Sequence, residues 1–514
     1  MKIFGNRIAN VFLYPMLVLT LIGIITRFQN NLLDISKISM VMLLMIIAIF
    51  AVLWTCKNNF KIKLSRNFCR SLVIIGIILT VTWQVILIIE LSGITWWDPS
   101  IIQTAAMGKP NWLGKNYFSY YPNTFMMCAF ETHIYEWVKS IGMQGFIKLL
   151  NSLNIVLLDV SWGLIIYSTN SFFHKKKVTV NVSWLSWAMI IVSPYVAIFY
   201  SDIPAFFIGS SMLALLSLLK DTNNKKIRTL VCVLIGVISA LGYFIKPSTV
   251  IVDMALGLVI VIYLATNKNK KYLKHVLIGG GIVVLLSFGG VYLGAKYYES
   301  HNSINVIDAK KAMPMTEFMA MGLSGNGGYN PVDVGQNITK STPAERNKLN
   351  ISLIKQRLKG YGISGYIRFL MKKQILNTND GTFGWQAESG KKGFLIPFKI
   401  HTGIRGYIQR MFTGNSANQN WKGNALWVQF IWGLVVLGML LALSSQEYTI
   451  LILKYTVLGG MIFLLLFEGG RTRYLIQFLP YILILSAYGW GSIDFKNLYS
   501  CFRSNKLDCL PHNR

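Results

Sequence analysis

Charged residues are scarce in this sequence, and acidic residues are the scarcest. The 514 residues include 20 Asp and Glu and 50 Lys and Arg, so 14% of the chain is charged and 53% is hydrophobic. Soluble domains of ordinary composition contain about 25% charged residues. The shortage of charge therefore excludes a soluble globule and predicts that lipid is the main solvent of the chain.

Cysteine is also rare, and the six that occur show neither CxxC spacing nor a Cys/His cluster. This pattern argues against a disulfide framework and against a zinc site. The glycine-rich runs have no nucleotide-fingerprint spacing and no strand–helix context. The net charge of +30 does not indicate nucleic acid, because the basic residues gather in short loops between apolar stretches, where they set membrane orientation.

Long apolar runs are what the sequence has in abundance. Twelve of them are long enough to cross about 30 Å of hydrocarbon. They lie near residues 10–28, 37–55, 71–91, 147–168, 184–200, 203–219, 229–245, 248–265, 276–295, 427–444, 449–467 and 473–491. The N-terminus has the charge of a signal peptide but no small-residue cleavage site, so we expect it to be an uncleaved first span.

With the N-terminus inside, every short basic loop falls in the cytoplasm, as the positive-inside rule requires. The segment 121–138 would break this pattern if it crossed, and it contains Glu131, His133 and Glu136. We therefore predict that it is an interfacial helix with its charged residues turned to water. The alternative is a thirteenth crossing.

These assignments predict an all-α polytopic protein of the plasma membrane. Its predicted parts are listed in chain order: two N-terminal spans in 1–70, a core of spans in 71–295 with an outer loop at 92–146 that carries interfacial helices, a large mixed extracytoplasmic loop at 296–426, further spans in 427–491 and a cytoplasmic tail at 492–514. Nearly all unusual polar groups then fall on the outer side. Such asymmetry favours an enzyme over a transporter, which needs polar groups near mid-membrane.

Asp98 follows two tryptophans just beyond the third span and is the first candidate for chemistry. A partly desolvated carboxylate there could act as a general base, since burial raises its pKa toward the working pH. The alternative is a helix cap or a solvated loop residue. Asp202, in a Ser-Asp-Ile-Pro corner, is either a turn residue or a carboxylate that binds a sugar hydroxyl, a divalent ion or the acceptor.

Three basic residues are candidates for phosphate binding. Lys246 ends an apolar span before a proline and either snorkels to the surface or binds phosphate. Arg471 and Arg473 oppose the usual charge bias on the outer side, and their forked guanidinium groups suit phosphate oxygens. The alternative is an intramembrane ion pair between Glu468 and one of the arginines.

Two glycine-rich runs lie in the large outer loop, at 322–330 and 379–385. We interpret them as turns that bring a set of aromatic and short polar side chains to a substrate, since such groups suit sugars. The set comprises Tyr329, Asp380, Trp385 and Glu388. A folded loop without a binding role is the alternative.

The order of these motifs resembles the membrane-embedded glycosyltransferases of the GT-C class, relatives of protein O-mannosyltransferases and bacterial aminoarabinose transferases. The matching positions, which extend over most of the chain, are Asp98, Tyr121-Pro122-Asn123, Ser201 to Pro204, Lys246-Pro247 and Arg471 to Leu475. The last of these is similar to a subgroup common in low-GC Gram-positive bacteria. The chain departs from many relatives in having one acidic residue in the first loop and two spans before the unit that carries this loop.

The resemblance implies inverting transfer of a sugar from a polyprenyl-phosphate donor to a glycan, lipid or protein acceptor of the cell envelope. It implies Asp98 as general base, with Lys246, Arg471 and Arg473 holding the donor phosphate. Substrate would be bound by Tyr121, Asp202, Tyr329, Asp380, Trp385 and Glu468. No cofactor is certain, and a divalent metal, Mg²⁺ or Mn²⁺, stays open. The alternatives are a lipid-linked glycan flippase or transporter, a polysaccharide polymerase, and a membrane scaffold.

Overall fold

The fold is almost entirely helical. The computed structural model describes residues 2–33, 66–109, 116–266, 271–304, 307–385, 395–413 and 421–493. In this part of the chain, ten helices are long and apolar enough to cross a membrane. The prediction of an all-α polytopic membrane protein is confirmed.

Besides two short strands, the described residues form eighteen α-helices. In chain order they are α1 (Lys2–Leu33), α2 (Arg66–Leu91), α3 (Asp98–Ala106), α4 (Tyr117–Tyr120), α5 (Phe125–Val138), α6 (Gly142–Phe173), α7 (Lys176–Ser186), α8 (Asp202–Asp221), α9 (Lys225–Ile245), α10 (Ile251–Thr266), α11 (Lys271–His301), α12 (Met315–Met321), α13 (Pro331–Ile338), α14 (Pro343–Thr378), α15 (Gly403–Phe412), α16 (Trp421–Ala442), α17 (Tyr448–Leu466) and α18 (Leu479–Ser492). Two short strands, β1 (Gly93–Thr95) and β2 (Leu395–Pro397), pair antiparallel.

Among the described residues, one predicted span differs from the observed helices. The predicted span 37–55 lies outside the described residues. The predicted span 184–200 is not one helix, because α7 gives way to a π-turn at Trp187–Ile191 and a 3₁₀ turn at Pro194–Ala197. Pro194 has no amide hydrogen to continue a helix. The side-chain amide of Asn154 donates to the carbonyl of Ile198 at 2.9 Å and so satisfies part of the freed backbone.

The segment 121–138 forms α5, which is separate from α6. The chain breaks at Gly142, whose φ of 66° is one that glycine adopts without strain. The expectation that its charged residues face water holds for Glu136, which is exposed and pairs with Lys139. It is wrong for Glu131, which is fully buried because α5 packs against α3.

One end of the bundle gathers the long connections, and we call it the site end. Its described residues are 92–109, 116–141, 200–202, 246–247, 302–304, 307–385, 395–413 and 467–471. Pairing of Gly93 with Pro397 joins its two longest segments. The connection between α6 and α7, which carries Lys175, and the connection between α8 and α9, which is followed by Lys225, lie at the opposite end. The assignment of the site end to the outside of the cell stays a prediction.

The large loop predicted as mixed is mainly helical where it is described. It contains α12 to α15 and one three-residue strand, and its flanking helices reach His301 and begin again at Trp421. A capping box starts α14, since the Thr342 side chain and Glu345 bond to each other's backbone amides. The buried Arg346 donates to three carbonyls and ties α14 to its neighbours.

The C-terminal helices pack closely enough to require glycine. A Cβ atom at Gly489 in α18 would lie 1.9 Å from the carbonyl oxygen of Gly438 in α16. This contact places α18 beside α16 and fixes the segment that precedes α18, which belongs to the site end. Gly163 in α6 has nothing within 4 Å of the corresponding position.

We predict that Gly489→Ala lowers the free energy of unfolding by about 1–3 kcal/mol, because the added methyl group cannot be accommodated between α16 and α18. Thermal unfolding in detergent measures the change. Gly163→Ala is the matched control and should leave stability unchanged or slightly raised. Equal melting temperatures for the two variants would contradict this packing.

Candidate active site

Asp98 lies at the site end, where the chain leaves β1 and begins α3. Its half-buried carboxylate accepts a hydrogen bond from the hydroxyl of Tyr200 at 3.1 Å. The hydroxyl of Tyr117 bonds to it as well. Burial, followed by the charge of Asp98, raises the pKa of both tyrosines well above the usual value. Both hydroxyls therefore stay protonated and orient a carboxylate that a substrate can reach.

Asp202 begins α8 and pairs with cations from two other segments. Its Oδ1 atom accepts from Lys246 Nζ at 2.5 Å, and its Oδ2 atom lies 3.8 Å from Arg473 Nε. Asp202 is 3% exposed and Arg473 is 4% exposed. Burial lowers the pKa of Lys246, and the carboxylate of Asp202 opposes this shift. Pairing in so dry a place needs close geometry, because desolvating each charge costs several kcal/mol.

Arg473 connects this ion pair to Asp98. Its guanidinium carbon lies 3.7 Å from the centroid of the Trp97 ring, in a cation–π contact, and 5.6 Å from that of Tyr200. Trp97 precedes Asp98 in sequence, and the hydroxyl of Tyr200 donates a hydrogen bond to the carboxylate of Asp98. The candidate base and the buried cations are thus held by shared aromatic neighbours.

Glu468 and Arg471 lie on the turn before Arg473. The hydroxyl of Tyr474 donates to Glu468 Oε1 at 3.0 Å. Burial raises the pKa of Glu468, and Arg471 is the largest opposing influence, followed by the bond from Tyr474. Asp98 also acts on the pKa of Glu468, so the turn faces the same site.

Tyr121 and Tyr329 border the site on the side of the long loops. Burial raises the pKa of Tyr121, and Glu317, Tyr329 and Asp98 add to the shift. Burial also raises the pKa of Tyr329, where Asp98 and Glu468 contribute and Arg471 opposes. Eight of the ten predicted site residues are therefore near one another: Asp98, Tyr121, Asp202, Lys246, Tyr329, Glu468, Arg471 and Arg473.

Asp380 and Trp385 are not part of this cluster. The carboxylate of Asp380 pairs with Arg27 of α1 at 2.8 Å and accepts from the Thr382 amide within its own turn. The Trp385 indole is buried and donates to the carbonyl of Phe412 at 2.7 Å. Both side chains hold the turn in place, so we leave them out of the proposed site. Glu388 lies outside the described residues.

Four residues of the site were not identified from the sequence: Tyr117, Tyr200, Trp97 and Glu317. Tyr200 and Trp97 adjoin the Asp202 and Asp98 motifs, so their position was a usable signal. Glu317 in α12 had none, because α12 reaches Tyr121 only through the tertiary fold. Its carboxyl is fully buried, with no hydrogen-bond partner for either oxygen among the described residues. Burial, followed by the charge of Glu468, raises its pKa to about 8, so it is mainly protonated at neutral pH.

The described residues of the site do not provide a set of metal ligands. No group of three or more His, Cys, Asp or Glu side chains converges among the residues with described positions. Asp202, the predicted oxygen ligand, directs its oxygens at Lys246 and Arg473. Mg²⁺ or Mn²⁺ would need several oxygen donors, and we assign it no role in the site.

The turn that carries Glu468 is held by α14. Lys373 Nζ donates to the carbonyls of Gly322, Leu465 and Phe467 at 2.6, 3.0 and 2.7 Å. These bonds cap the C-terminus of α17 and join it to the glycine-rich run before Tyr329. The Gly469 amide donates to the Gly327 carbonyl at 2.7 Å. Burial lowers the pKa of Lys373 to about 8.

We predict that Lys373→Met lowers the free energy of unfolding by at least about 2 kcal/mol, because it leaves buried carbonyls without a donor. Lys372→Met is the matched control, since Lys372 is exposed on the same helix. Thermal unfolding in detergent compares the two. If Lys373→Met lowered the free energy of unfolding no more than Lys372→Met, the bonds from Lys373 to the three carbonyls would not stabilise the protein as proposed.

Comparison with known proteins gives a family and a distant structural likeness. No curated protein matches the chain. The solved structure of ArnT from Cupriavidus metallidurans bound to undecaprenyl phosphate is 13% identical, with 82% of this chain and 77% of that chain covered and a TM-score of 0.34. The apo state of the same protein is 11% identical with the same coverage and score. A family model described as conserved hypothetical integral membrane protein matches residues 1–493, and the chain belongs to this family.

Proposed function

We propose that the protein is a membrane glycosyltransferase of the GT-C type. It transfers a sugar from a polyprenyl-phosphate donor to a cell-envelope acceptor at the extracytoplasmic face of the plasma membrane. The observation that carries the proposal is the convergence of a reachable carboxylate, Asp98, with a buried cluster of cations around Asp202. The order of sequence motifs, which resembles that class, supports the same conclusion.

Asp98 suits the role of general base. Two protonated tyrosines, Tyr117 and Tyr200, fix its carboxylate by hydrogen bonds. The residue is half-buried, so an acceptor hydroxyl can approach a carboxylate that is partly shielded from water. A positioned base of this kind contributes about 10²- to 10⁴-fold to the rate.

Lys246, Arg471 and Arg473 suit the role of phosphate ligands. Lys246 and Arg473 flank a single carboxylate, that of Asp202. The net charge of these three side chains is therefore positive. A lipid phosphate at the membrane boundary would balance it. The guanidinium of Arg473 is fixed by the Trp97 ring, which lowers the entropy lost on binding an anion.

The reaction is a single displacement. The acceptor oxygen forms a bond to the anomeric carbon while Asp98 takes its proton. The bond from the anomeric carbon to the phosphate oxygen breaks, and the polyprenyl phosphate leaves with the electron pair toward the cations. One displacement inverts the anomeric centre, so no second nucleophilic carboxylate is needed. Tyr121, Tyr329, Asp202 and Glu468 would position the sugar and acceptor.

A flippase would use acidic residues along a route through the spans. Each of the acidic residues considered for such a route, which are Glu90, Asp159 and Asp253, has a hydrogen-bond partner. Glu90 accepts from Arg405 at 2.7 Å, the amide of Gln84 donates to Asp159 at 2.9 Å, and Asp253 accepts from Ser239 at 2.9 Å. These pairings favour the transferase. A polysaccharide polymerase would use the same chemistry with a glycan chain as acceptor.

Mass spectrometry of envelope glycans from cells with and without the protein tests the function and identifies the sugar and acceptor. We then predict that Asp98→Asn lowers transfer of that sugar from polyprenyl phosphate in proteoliposomes by at least about 100-fold, because the amide cannot take a proton. Expression and melting temperature should stay as in the wild type. Glu345→Gln, at an exposed site, is the control, and undiminished turnover of Asp98→Asn would eliminate Asp98 as the base.

Arg473→Lys tests the phosphate site without removing charge. We predict that the KM for the polyprenyl-phosphate donor rises about tenfold, because an ammonium cannot reproduce the guanidinium fork or its stacking on Trp97. Donor titration at saturating acceptor measures the change. The control is Arg410→Lys, an exposed arginine in α15. A donor KM equal to that of the control would remove Arg473 from the phosphate site.

A further inference from the structure

The C-terminal part of α14 has an apolar face that the site does not use. The helix is interrupted at Gly362, and residues 363–378 form its second part. Ile363, Ile367 and Met371 follow at intervals of four and so share one face. They are 86%, 53% and 45% exposed. Three large apolar side chains in one row are costly to leave in water, because removing apolar surface from water is favourable by about 25 cal/mol per Å².

The opposite face of this segment lies against membrane-spanning helices. The hydroxyl of Thr378 is 2.8 Å from that of Thr20 in α1, and the Asn377 amide donates to the Leu464 carbonyl in α17 at 3.1 Å. Thr20 lies about 15 Å from the end of its span at Asn30, given a rise of 1.5 Å per residue. The last turn of α14 is therefore at the level of the bundle, within the expected outer leaflet.

The charges on α14 complement an anionic surface. Five of the eight Lys and Arg residues of the helix are exposed, whereas Arg346, Arg357 and Lys373 bond within the protein. The helix has one acidic residue, Glu345, and no Asp or Glu follows until Asp380. Arg368 and Lys372 are exposed, and each follows a member of the apolar row. Basic residues beside an apolar helix face are the pattern of helices that lie in the membrane interface.

We propose that residues 363–378 form a membrane-interface helix that inserts Ile363, Ile367 and Met371 among acyl chains and binds the phosphate headgroups of anionic phospholipids through Arg368 and Lys372. The segment was predicted as part of an extracytoplasmic loop. The proposal places it in the leaflet and does not depend on the transferase activity. A second protein on this face is the competing occupant.

Spin labels test the apolar row. Single labels at positions 363, 367 and 371 of the full chain, with reactive cysteines replaced, are compared with one at exposed Lys348 in nanodiscs of phosphatidylcholine and phosphatidylglycerol. We expect the three sites to be accessible to oxygen and protected from an aqueous nickel chelate, and position 348 to be open to the chelate. Equal access of the chelate at all four would overturn the proposal. Protection of the row from both reagents would do the same, because protein would then cover it.

Headgroup binding by Arg368 and Lys372 is tested by comparing two double variants in native mass spectrometry with added phosphatidylglycerol. Each basic residue near an anionic surface contributes about 1 kcal/mol, or about fivefold in affinity. Arg368→Gln with Lys372→Gln should thus weaken retention of phosphatidylglycerol roughly 30-fold, while phosphatidylcholine retention stays the same. The control combines Lys310→Gln and Lys340→Gln, an equal charge change in the same loop. Equal retention by the two double variants would refute headgroup binding.

Discussion

The buried carboxylate of Asp202 is the constraint on which the site depends. Lys246 and Arg473 come from segments more than two hundred residues apart, and the charge of Arg473 lowers the pKa of Lys246, as expected for neighbouring like charges. Only an anion between them lets both lie buried. By holding them, Asp202 joins the start of α8 and the end of α9 to the segment before α18, and Arg473 in turn contacts the ring of Trp97, the residue before Asp98.

A second constraint comes from the long loops. Lys373 in α14 gathers carbonyls from the glycine-rich run and from the end of α17, so Tyr329 and Glu468 are positioned by one buried ammonium. The same helix reaches α1 through Thr378. The wall of the site and the membrane-spanning bundle are therefore coupled through α14. The capping box and the buried Arg346 anchor the part of α14 before Gly362, and Lys373 and Thr378 anchor the part after it.

Hydropathy and short motifs were enough to predict most of the described spans and most of the cluster, because membrane boundaries force polar groups toward the bundle ends. The same signals could not separate Tyr329 from Asp380. Both adjoin glycine-rich turns, but Asp380 is neutralised by Arg27, which is 353 residues away in sequence. Glu317 was missed for a similar reason, since its burial depends on how α12 packs over Tyr121. The break in the predicted span 184–200 follows from Pro194, which hydropathy does not register.

Photocrosslinking tests the central claim most directly. A polyprenyl phosphate with a photoreactive group next to the phosphate is bound to the full protein in nanodiscs, and the labelled peptides are mapped by mass spectrometry. The account predicts labels within residues 243–250 and 468–475, around the cations that Asp202 holds. Labels confined to the basic connections at 174–177 and 220–228, at the opposite end of the bundle, would contradict it.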